Sequence, residues 1–315
     1  MANKKFDLEE YKKSIKVADT PLKKDKFVVL EECIQEVIGM PGVPLGHITQ
    51  AYGKSDTGKT SFAFETAAKC QKQDIMPVII VTEGKVDWDR AAQMGFDKNA
   101  PSIVEENLEY LEDVFGFIDR ILADVEMGKL PLDTQIIWDS VGNTLSKDEV
   151  TVNKDGTTTR ESTMMKAAKV ITEAMRILSH KVNNTRKISY PRSVGVLIIN
   201  QAYTKPPAFK GGKPSIVPYG GDSIWFRSSL VLKFSKIGKL LATKDGNKFG
   251  FGIETKITVD KNHITPITNS GDFIITADAI IPNHKGAIDD YKASHKEAWG
   301  SAEIIDEQTG EVTED

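Results

Sequence analysis

The segment GKSDTGKT, residues 53–60, constrains the fold of this chain more than any other feature of its sequence. It contains Gly53 and Gly58, and Lys59 and Thr60 directly follow the second glycine. An apolar run precedes the segment, and a helix-forming stretch, SFAFETAAKCQKQ, follows it. A glycine-rich turn between a strand and a helix, with a lysine at this spacing, predicts a phosphate-binding loop at the edge of a parallel sheet.

Four apolar runs end in polar or small residues and are separated by segments of helical period. The runs span residues 46–53, 76–84, 134–140 and 193–201. Strands that alternate with helices predict right-handed βαβ units around a mostly parallel sheet, in which ligands gather at the carboxyl ends of the strands. The residues at those ends are Gly53, Glu83, Asp139 and Gln201.

The composition fits one α/β core with small appendages. The chain has 315 residues, 40% of them hydrophobic, and a formal net charge of -4, which neither requires nor excludes a nucleic acid partner. Cys33 and Cys70 stand apart without a second cysteine or a histidine at ligand spacing, which predicts neither a disulfide nor a zinc site. Since no apolar run approaches the ~20 residues of a membrane span, we expect a cytoplasmic protein without membrane contact.

Further strands and helices surround this core. The stretch 162–182 carries apolar residues at three-to-four spacing, which predicts a helix with one buried face. SSLVLKFSKI and GFGIETKITVDKN alternate as strands do, and Asp245-Gly246 between them predicts a hairpin turn that extends the sheet. Residues 7–18 form a short helix with a narrow apolar stripe, which packs either on its own domain or on a neighbouring copy.

The glycine-lysine segment matches the chemistry of nucleoside triphosphate binding. Backbone N–H groups at a helix start face the β-phosphate, Lys59 reaches the β- and γ-phosphate oxygens, and the Thr60 hydroxyl ligates Mg²⁺. The candidate nucleotide-binding residues of the loop are Gly53, Lys54, Ser55, Asp56, Thr57, Gly58, Lys59, Thr60 and Ser61. The alternative is a purely structural turn. That alternative has less support, because the partial positive charge of a helix N-terminus disfavours a lysine there unless the lysine binds an anion.

Two carboxylates at neighbouring strand ends are candidates for metal binding and catalysis. Asp139 lies where such loops place the carboxylate that orients the Mg²⁺ ligands, and its alternative role is an N-cap of the next element. Glu83 ends the intervening strand, where a carboxylate aligns or deprotonates the water that attacks the γ-phosphate. Its alternative role is that of a solvated loop acid.

Four segments of the chain stand in a recognisable order and spacing: GVPLGHITQAYGKSDTGKT, TEGKVDWDRAAQMGFD, WDSVGNTLSKDE and LIINQ. Together they resemble the motifs of RecA-type homologous recombinases. WDSVGNTLSKDE is especially similar to the recombinases of tailed phages, whereas LIINQ resembles the bacterial form. The resemblance covers roughly residues 30–268 and depends on the order and spacing of the motifs, because each one alone is shared with many ATPases.

The resemblance implies a RecA-like P-loop ATPase core, with a mostly parallel sheet flanked by helices and extended by an antiparallel hairpin. We expect four parts along the chain. They are an N-terminal helix and linker (1–29), the core (30–270), a small C-terminal appendage (271–300) and an acidic tail (301–315). Since six acids and no basic residue occur from Glu303 onward, this tail is predicted to be solvated and disordered.

The same resemblance implies roles for individual residues, with ATP and Mg²⁺ as the cofactors. Glu83 would activate water, and Gln201 would sense the γ-phosphate and pass its state to the segment that follows. Asp87 and Arg90 fall where the family contacts adenine, although Arg90 replaces an aromatic residue of the family.

The resemblance also implies a contact between subunits. Lys261 matches a basic residue that reaches the ATP of a neighbouring subunit. His263 stands at the second such position, where the family has a lysine.

Two long segments rich in Gly, Pro and Thr, residues 147–165 and 202–221, are predicted to lack regular secondary structure and to contact DNA. Basic residues interleaved with aromatic ones in the second segment match the binding of single strands by phosphate neutralisation and base stacking. The candidate DNA-binding residues are Arg160, Met164, Tyr203, Lys205, Phe209, Lys210, Lys213, Gly220 and Gly221. The alternative is a pair of solvated flexible loops.

The function implied by the resemblance is that of a DNA-dependent ATPase that forms filaments on single-stranded DNA. It would pair that strand with a homologous duplex and exchange strands, with single-strand-binding and mediator proteins as further partners. Two alternatives remain open: a ring-forming motor of the same fold, such as a helicase, and a DNA-binding mediator without strand exchange. A small-molecule phosphotransferase has less support, because no lid or acceptor pocket stands out in the sequence.

Overall fold

A mixed β-sheet of 12 strands organises the residues that the computed structural model describes. These are residues 7–14, 21–84, 86–152, 158–160, 164–207, 209, 212, 214–244, 247–295, 302–306 and 312–313. The sheet confirms the predicted fold class, a mostly parallel α/β core with an antiparallel extension. None of the described helices is long and apolar enough to cross a membrane.

The helices and strands of the described residues follow in chain order. The α-helices are α1 (Leu8–Ser14), α2 (Glu32–Ile38), α3 (Lys59–Lys72), α4 (Trp88–Gln93), α5 (Leu111–Glu126), α6 (Met164–Asn184), α7 (Asp222–Arg227) and α8 (Lys285–Ser294). The first eight strands are β1 (Phe27–Val29), β2 (Gly42–Pro44), β3 (Ile48–Gly53), β4 (Met76–Val81), β5 (Ile103–Glu105), β6 (Thr134–Asp139), β7 (Val150–Val152) and β8 (Thr158–Arg160). The remaining strands are β9 (Val194–Lys205), β10 (Ser215–Pro218), β11 (Leu230–Lys244), β12 (Asn247–Asn262), β13 (Ser270–Thr276), β14 (Ile280–Pro282), β15 (Ala302–Asp306) and β16 (Val312–Thr313).

The centre of the sheet is parallel, in the order β11-β3-β9-β6-β4-β5. The register aligns Gly53 with Gln201 and Val81 with Asp139, so the strand ends that carry candidate residues share one edge. Strands β12, β13 and β14 continue the sheet beyond β11 in antiparallel fashion. The two residues predicted to form the turn between β11 and β12, 245 and 246, lie outside the described residues.

The two faces of the parallel strands form two separate hydrophobic cores. Along β6, Ile137 belongs to the core that also contains residues of α2 and α3, whereas Ile136 and Trp138 belong to the core with α5 and α6. This division follows from the strand pleat, since successive side chains point to opposite faces of a sheet. Because helices cover both faces, the parallel strands are mostly apolar, and even the polar Thr49 and Gln50 of β3 are buried.

The two segments predicted to be irregular loops contain β-hairpins, so that prediction is wrong in part. Strand β9 continues past the core to Lys205 and pairs antiparallel with β10, with Ser215 opposite Lys205. Strand β7 pairs in the same way with β8. Tyr203 and Thr204 on one side, and Ile216 and Val217 on the other, flank a Pro- and Gly-rich stretch, a composition that favours a two-stranded arm. We call residues 202–221 the arm.

The structure bears differently on the predictions made for the two ends of the chain. On α1, Leu8 and Tyr11 are exposed, and Ile15 lies outside the described residues. Where a disordered tail was expected, β15 pairs antiparallel with Gly238–Ala242 of β11. Strand β11 extends beyond its last partner in β3, Phe234↔Gly53, which leaves an open edge that accepts another strand. The division of the chain into four parts stays a prediction.

Phe62 of α3 anchors the helix that starts at the glycine-lysine segment. Its side chain is fully buried, with its ring centroid 5.4 Å from that of Phe234. Phe62→Ala is expected to lower the free energy of unfolding by about 3–5 kcal/mol, because it removes a buried ring and leaves a cavity. Urea denaturation followed by circular dichroism measures this change.

Phe209, which is 72% exposed, provides the matched control. Phe209→Ala is expected to change the free energy of unfolding by less than about 0.5 kcal/mol. Similar losses in the two variants would contradict the packing described for α3.

Candidate functional site

The glycine-lysine segment forms a tight loop between β3 and α3, as the sequence predicts. Gly58 has a φ of 89°, and a Cβ atom there would lie 2.1 Å from Ile275 Cδ1. A Cβ atom at Gly53 would lie 2.4 Å from the backbone oxygen of Phe234. The glycines are therefore required by close packing around the loop. Because α3 begins at Lys59, the unpaired N–H groups of its first turn lie at the loop, where they favour an anion.

Lys59 is buried within the loop, with 7% of its surface exposed. Its Nζ donates to the backbone oxygen of Lys54 at 2.6 Å and lies 3.4 Å from Thr57 Oγ1. Burial lowers the pKa of Lys59 below its usual value, although the negative charges of Asp139, Glu83 and Asp56 act in the opposite direction. Within the described residues, its hydrogen bonds go to neutral oxygens, so the ammonium suits an anionic ligand.

Thr60 and Asp139 form the candidate metal site. Thr60 Oγ1 donates to Asp139 Oδ2 at 2.8 Å, and the buried Oδ1 of Asp139 has no hydrogen-bond partner among the described residues. Burial raises the pKa of Asp139 to about 6, and Glu83 adds to this effect, while the Thr60 hydrogen bond and Lys59 oppose it. A hydroxyl and a carboxylate oxygen fit Mg²⁺, which takes few protein ligands when phosphates and water supply the rest.

Two amide side chains hold Glu83 in place, one from β9 and one from the turn that follows β6. Its Oε1 accepts hydrogen bonds from Gln201 Nε2 and, at 2.8 Å, from Asn143 Nδ2. The structure thus brings together Glu83 and Gln201, both predicted from the sequence. Asn143 was missed, and the only signal in the sequence is its place four residues after Asp139, in the turn that leaves the same strand.

Asp87 and Arg90 lie near the loop but contact protein groups. Asp87 is the N-cap of α4, since its Oδ1 accepts from the Arg90 backbone N at 2.9 Å. Arg90 Nη2 donates to Ser61 Oγ at 2.9 Å and to the backbone oxygen of Thr276 at 3.3 Å. The guanidinium group therefore joins the start of α3 to the end of β13. Its predicted contact with adenine stays a prediction.

One cavity of about 970 Å³, within the size range of ligand pockets, is lined by Lys59, Thr60, Glu83, Asp87, Arg90, Asp139 and Gln201. It contains most of the predicted nucleotide-binding and catalytic side chains. A second wall, which the sequence did not reveal, comes from the antiparallel strands and consists of Lys236, Lys239, Phe249, Gly250, Phe251, Gly252, Ile253, Ile275, Thr276 and Ala277. Its strands are far from the glycine-lysine segment in sequence and approach it only because β11 pairs with β3.

The base of the arm is tied to the strand end that carries Gln201. The Tyr219 backbone N donates to the backbone oxygen of Gln201 at 3.0 Å, and Asn200 Nδ2 donates to the backbone oxygen of Tyr219 at 2.8 Å. The rings of Tyr203 and Tyr219 have centroids 5.0 Å apart. Farther along the arm, Lys205 and Phe209 are exposed.

The remaining candidate DNA-binding residues are only partly described. Gly220 and Gly221, the last two residues of the arm, lead into α7 and have φ values of 81° and 72°, a backbone conformation that glycine adopts without strain. Lys210 and Lys213 lie outside the described residues, as do the side chains of Arg160 and Met164.

Comparison with known proteins identifies the family of this chain. A family model described as the RecA N-terminal domain matches residues 16–280. The chain belongs to the RecA N-terminal domain family. It is similar to Protein RecA of Ureaplasma parvum, with 28% identity over 234 residues, and to Protein RecA of Mycoplasma genitalium, with 30% identity over 231 residues. These matches cover 74% and 73% of this chain and 62% and 61% of the respective relatives.

The likeness extends to a plant protein, the DNA repair protein recA homolog 3, mitochondrial, of Arabidopsis thaliana. It is 26% identical over 237 residues, which cover 75% of this chain and 50% of that protein. The chain therefore spans less than two thirds of the length of these curated relatives. The predicted family is confirmed, and the closer likeness to phage recombinases stays a prediction.

In this member of the RecA N-terminal domain family, Lys261 lies toward the amino ends of the parallel strands, whereas the glycine-lysine loop follows the carboxyl end of β3. It pairs with Val231 near the start of β11, whereas Gly53 pairs with Phe234. Lys261 Nζ donates to the backbone oxygens of Trp225 and Phe226 at 2.9 and 3.0 Å and lies 4.6 Å from the Trp225 ring centroid. Burial lowers its pKa.

The raised pKa of Asp139 predicts a pH-dependent stability of the nucleotide-free protein. Because the folded pKa is about 6 and the ordinary value is 3.8, the stability contributed by the protonated carboxyl is present below pH 4 and is lost as pH rises through 6. Since each pKa unit corresponds to about 1.4 kcal/mol, wild type should lose up to about 3 kcal/mol relative to Asp139→Asn. Urea denaturation of both proteins from pH 4 to 7 measures this difference; a constant difference would contradict the account.

Proposed function

We propose that this chain is an ATP-dependent DNA recombinase that assembles on single-stranded DNA and exchanges it with a homologous duplex. The observation that carries this proposal is the hydrogen bond between Gln201 and Glu83. It joins the carboxylate at the nucleotide cavity to the strand from which the arm begins. Membership in the RecA N-terminal domain family supports the same function.

The cavity residues have the chemistry that ATP hydrolysis requires. Lys59 and the N–H groups of the loop bind the phosphates. Thr60 and Asp139 would hold Mg²⁺, which when bound would neutralise charge on the phosphates. Glu83 accepts a proton from the water that attacks the γ-phosphorus, and the bond from that phosphorus to the bridging oxygen breaks.

The arm has the residue types that bind a single strand without reading its sequence. The exposed Phe209 and the Tyr203–Tyr219 pair offer ring faces for bases, and Lys205 offers a charge for phosphates. Contacts of this kind leave the base edges to pair with a second strand. Through Gln201, the occupancy of the nucleotide cavity favours one arm position over another, which couples ATP binding to DNA affinity.

A filament in which ATP lies between adjacent copies agrees with the position of Lys261. The buried ammonium contacts backbone oxygens and a ring, and it lies at the edge away from Lys59 of its own chain. Such a cation suits the phosphates of a neighbouring copy across a head-to-tail contact, which generates a helix when the rotation does not close. The exposed apolar residues Leu8 and Tyr11 on α1 fit docking on the same neighbour.

The first test is DNA-dependent ATP hydrolysis. Single-stranded DNA is expected to raise the rate, and Lys59→Ala is expected to lower the stimulated rate at least about 100-fold, because it removes a cation aimed at the phosphates. Lys72→Ala, at the exposed far end of α3, is the matched control and should keep the wild-type rate. Equal rates with and without DNA across a range of salt, or rings instead of DNA-dependent filaments in electron micrographs, would contradict the proposal.

The second test asks whether Lys261 acts on the ATP of a neighbouring copy. Lys59→Ala and Lys261→Ala should each be inactive alone. An equal mixture should regain about a quarter of the wild-type rate, because that share of head-to-tail contacts pairs an intact Lys59 with an intact Lys261. A mixture of Lys59→Ala with the double variant is the control and should stay inactive. No recovery in the first mixture, or normal hydrolysis by Lys261→Ala alone, would rule out this role.

A further inference from the structure

Glu83 Oε1 accepts hydrogen bonds from both Asn143 and Gln201. A carboxylate oxygen has two lone pairs, so these amide donors satisfy Oε1. Glu83 Oε2 accepts no hydrogen bond from the described residues, and the side chain borders the cavity beside Lys59 and Asp139. The arrangement therefore fixes one oxygen of the carboxylate and leaves the other for water.

The backbone that carries Asn143 is held firmly to the core. Asn143 ends a 3₁₀ turn, Val141–Asn143, that starts two residues after Asp139. Directly after the turn, the buried Thr144 donates from Oγ1 to Thr82 Oγ1 at 2.8 Å. Thr82 Oγ1 donates to the backbone oxygen of Ser140 at 2.9 Å and accepts from Trp138 Nε1 at 3.1 Å. These bonds lock the turn against the residue that precedes Glu83.

Gln201, in contrast, belongs to the strand that leads into the arm. Its backbone oxygen pairs with Tyr219, at the other end of the arm, and its side chain is only partly buried. The two donors to Glu83 therefore differ in their attachment. Asn143 is carried by the turn that follows Asp139, whereas Gln201 is carried by β9, which pairs with Gly53 and continues into the arm.

We propose that Asn143 is a positioning residue, which keeps Glu83 aimed at the attacking water after Gln201 turns from Glu83 to the γ-phosphate. This inference depends on the proposed function, in which Glu83 activates water and Gln201 senses the phosphate. With Gln201 withdrawn, the Asn143 amide is the remaining described donor that restricts rotation of the carboxylate. Orientation of a reacting group to within an ångström has large effects on rate.

Two variants of Asn143 distinguish the effect of its hydrogen bond to Glu83 from the effect of its side-chain shape. Asn143→Ala removes the donor and should lower the kcat of DNA-stimulated ATP hydrolysis about tenfold while leaving KM within about twofold, because the bond matters in the transition state and not for ATP binding. Asn143→Asp keeps the shape but replaces the donor with a negative charge, and it should lower kcat at least as much. Asn107→Ala, at another exposed asparagine, is the control and should match wild type.

A double-mutant cycle with Glu83→Gln tests whether Asn143 acts through Glu83. In the Glu83→Gln background, Asn143→Ala should cause no further loss, because the carboxylate that it orients is already absent. Since the Asn143 side chain is exposed, the variants should keep the wild-type circular dichroism spectrum and melting temperature.

The outcomes distinguish this inference from the proposed function. If Glu83→Gln is inactive but Asn143→Ala keeps the wild-type kcat, the positioning role is wrong and the proposed function stands. If the loss from Asn143→Ala persists undiminished in the Glu83→Gln background, Asn143 acts elsewhere and the inference is again overturned. If Glu83→Gln hydrolyses ATP at the wild-type rate, the role of Glu83 fails and this inference fails with it.

Discussion

Two ionisable side chains, Lys59 and Asp139, are buried where the parallel strands end, and their burial governs the chemistry of the candidate site. Burial lowers the pKa of the lysine and raises the pKa of the aspartate, so each charge is costly in the folded protein. The loop, the glycines that permit it and the Thr60 hydroxyl hold both groups in place despite this cost. A phosphate and a divalent cation would offset the cost of both charges together, which supports the proposal that a nucleotide binds here.

Glu83 connects that site to the rest of the molecule. One donor to its carboxylate, Asn143, comes from the segment of Asp139, and the other, Gln201, comes from the strand that extends into the arm. In the proposed function, the hydrogen bonds to Glu83 Oε1 couple the state of the nucleotide to the binding of DNA by the arm. Lys261 lies at the opposite edge of the sheet, where its contacts with Trp225 and Phe226 place it against α7, the helix that follows the arm. A contact with a neighbouring copy there would act on the same arm from its other end.

The sequence predicted those parts of the structure in which local pattern and chemistry agree. Strands β3, β4 and β6 lie within the runs from which strands were predicted, β9 begins within the fourth run, and the glycine-lysine loop has a spacing that few other structures require. Asn143 and the cavity wall around Phe249 were missed, because they approach the site through strand order and turn geometry, which the sequence does not display. The arm and β15 were expected to be irregular, because their Gly, Pro and acidic residues are typical of loops. Their short strands form only by pairing with β9 and β11, and the sequence does not reveal those partners.

The most direct measurement is an electron cryomicroscopy structure of the protein assembled on single-stranded DNA with a non-hydrolysable ATP analogue. We expect the analogue to lie between two copies, with its phosphates at Lys59 of one copy and near Lys261 of the next, and residues 202–221 to contact the DNA strand. An analogue enclosed within a single copy, away from every neighbour and from the arm, would overturn the proposed filament.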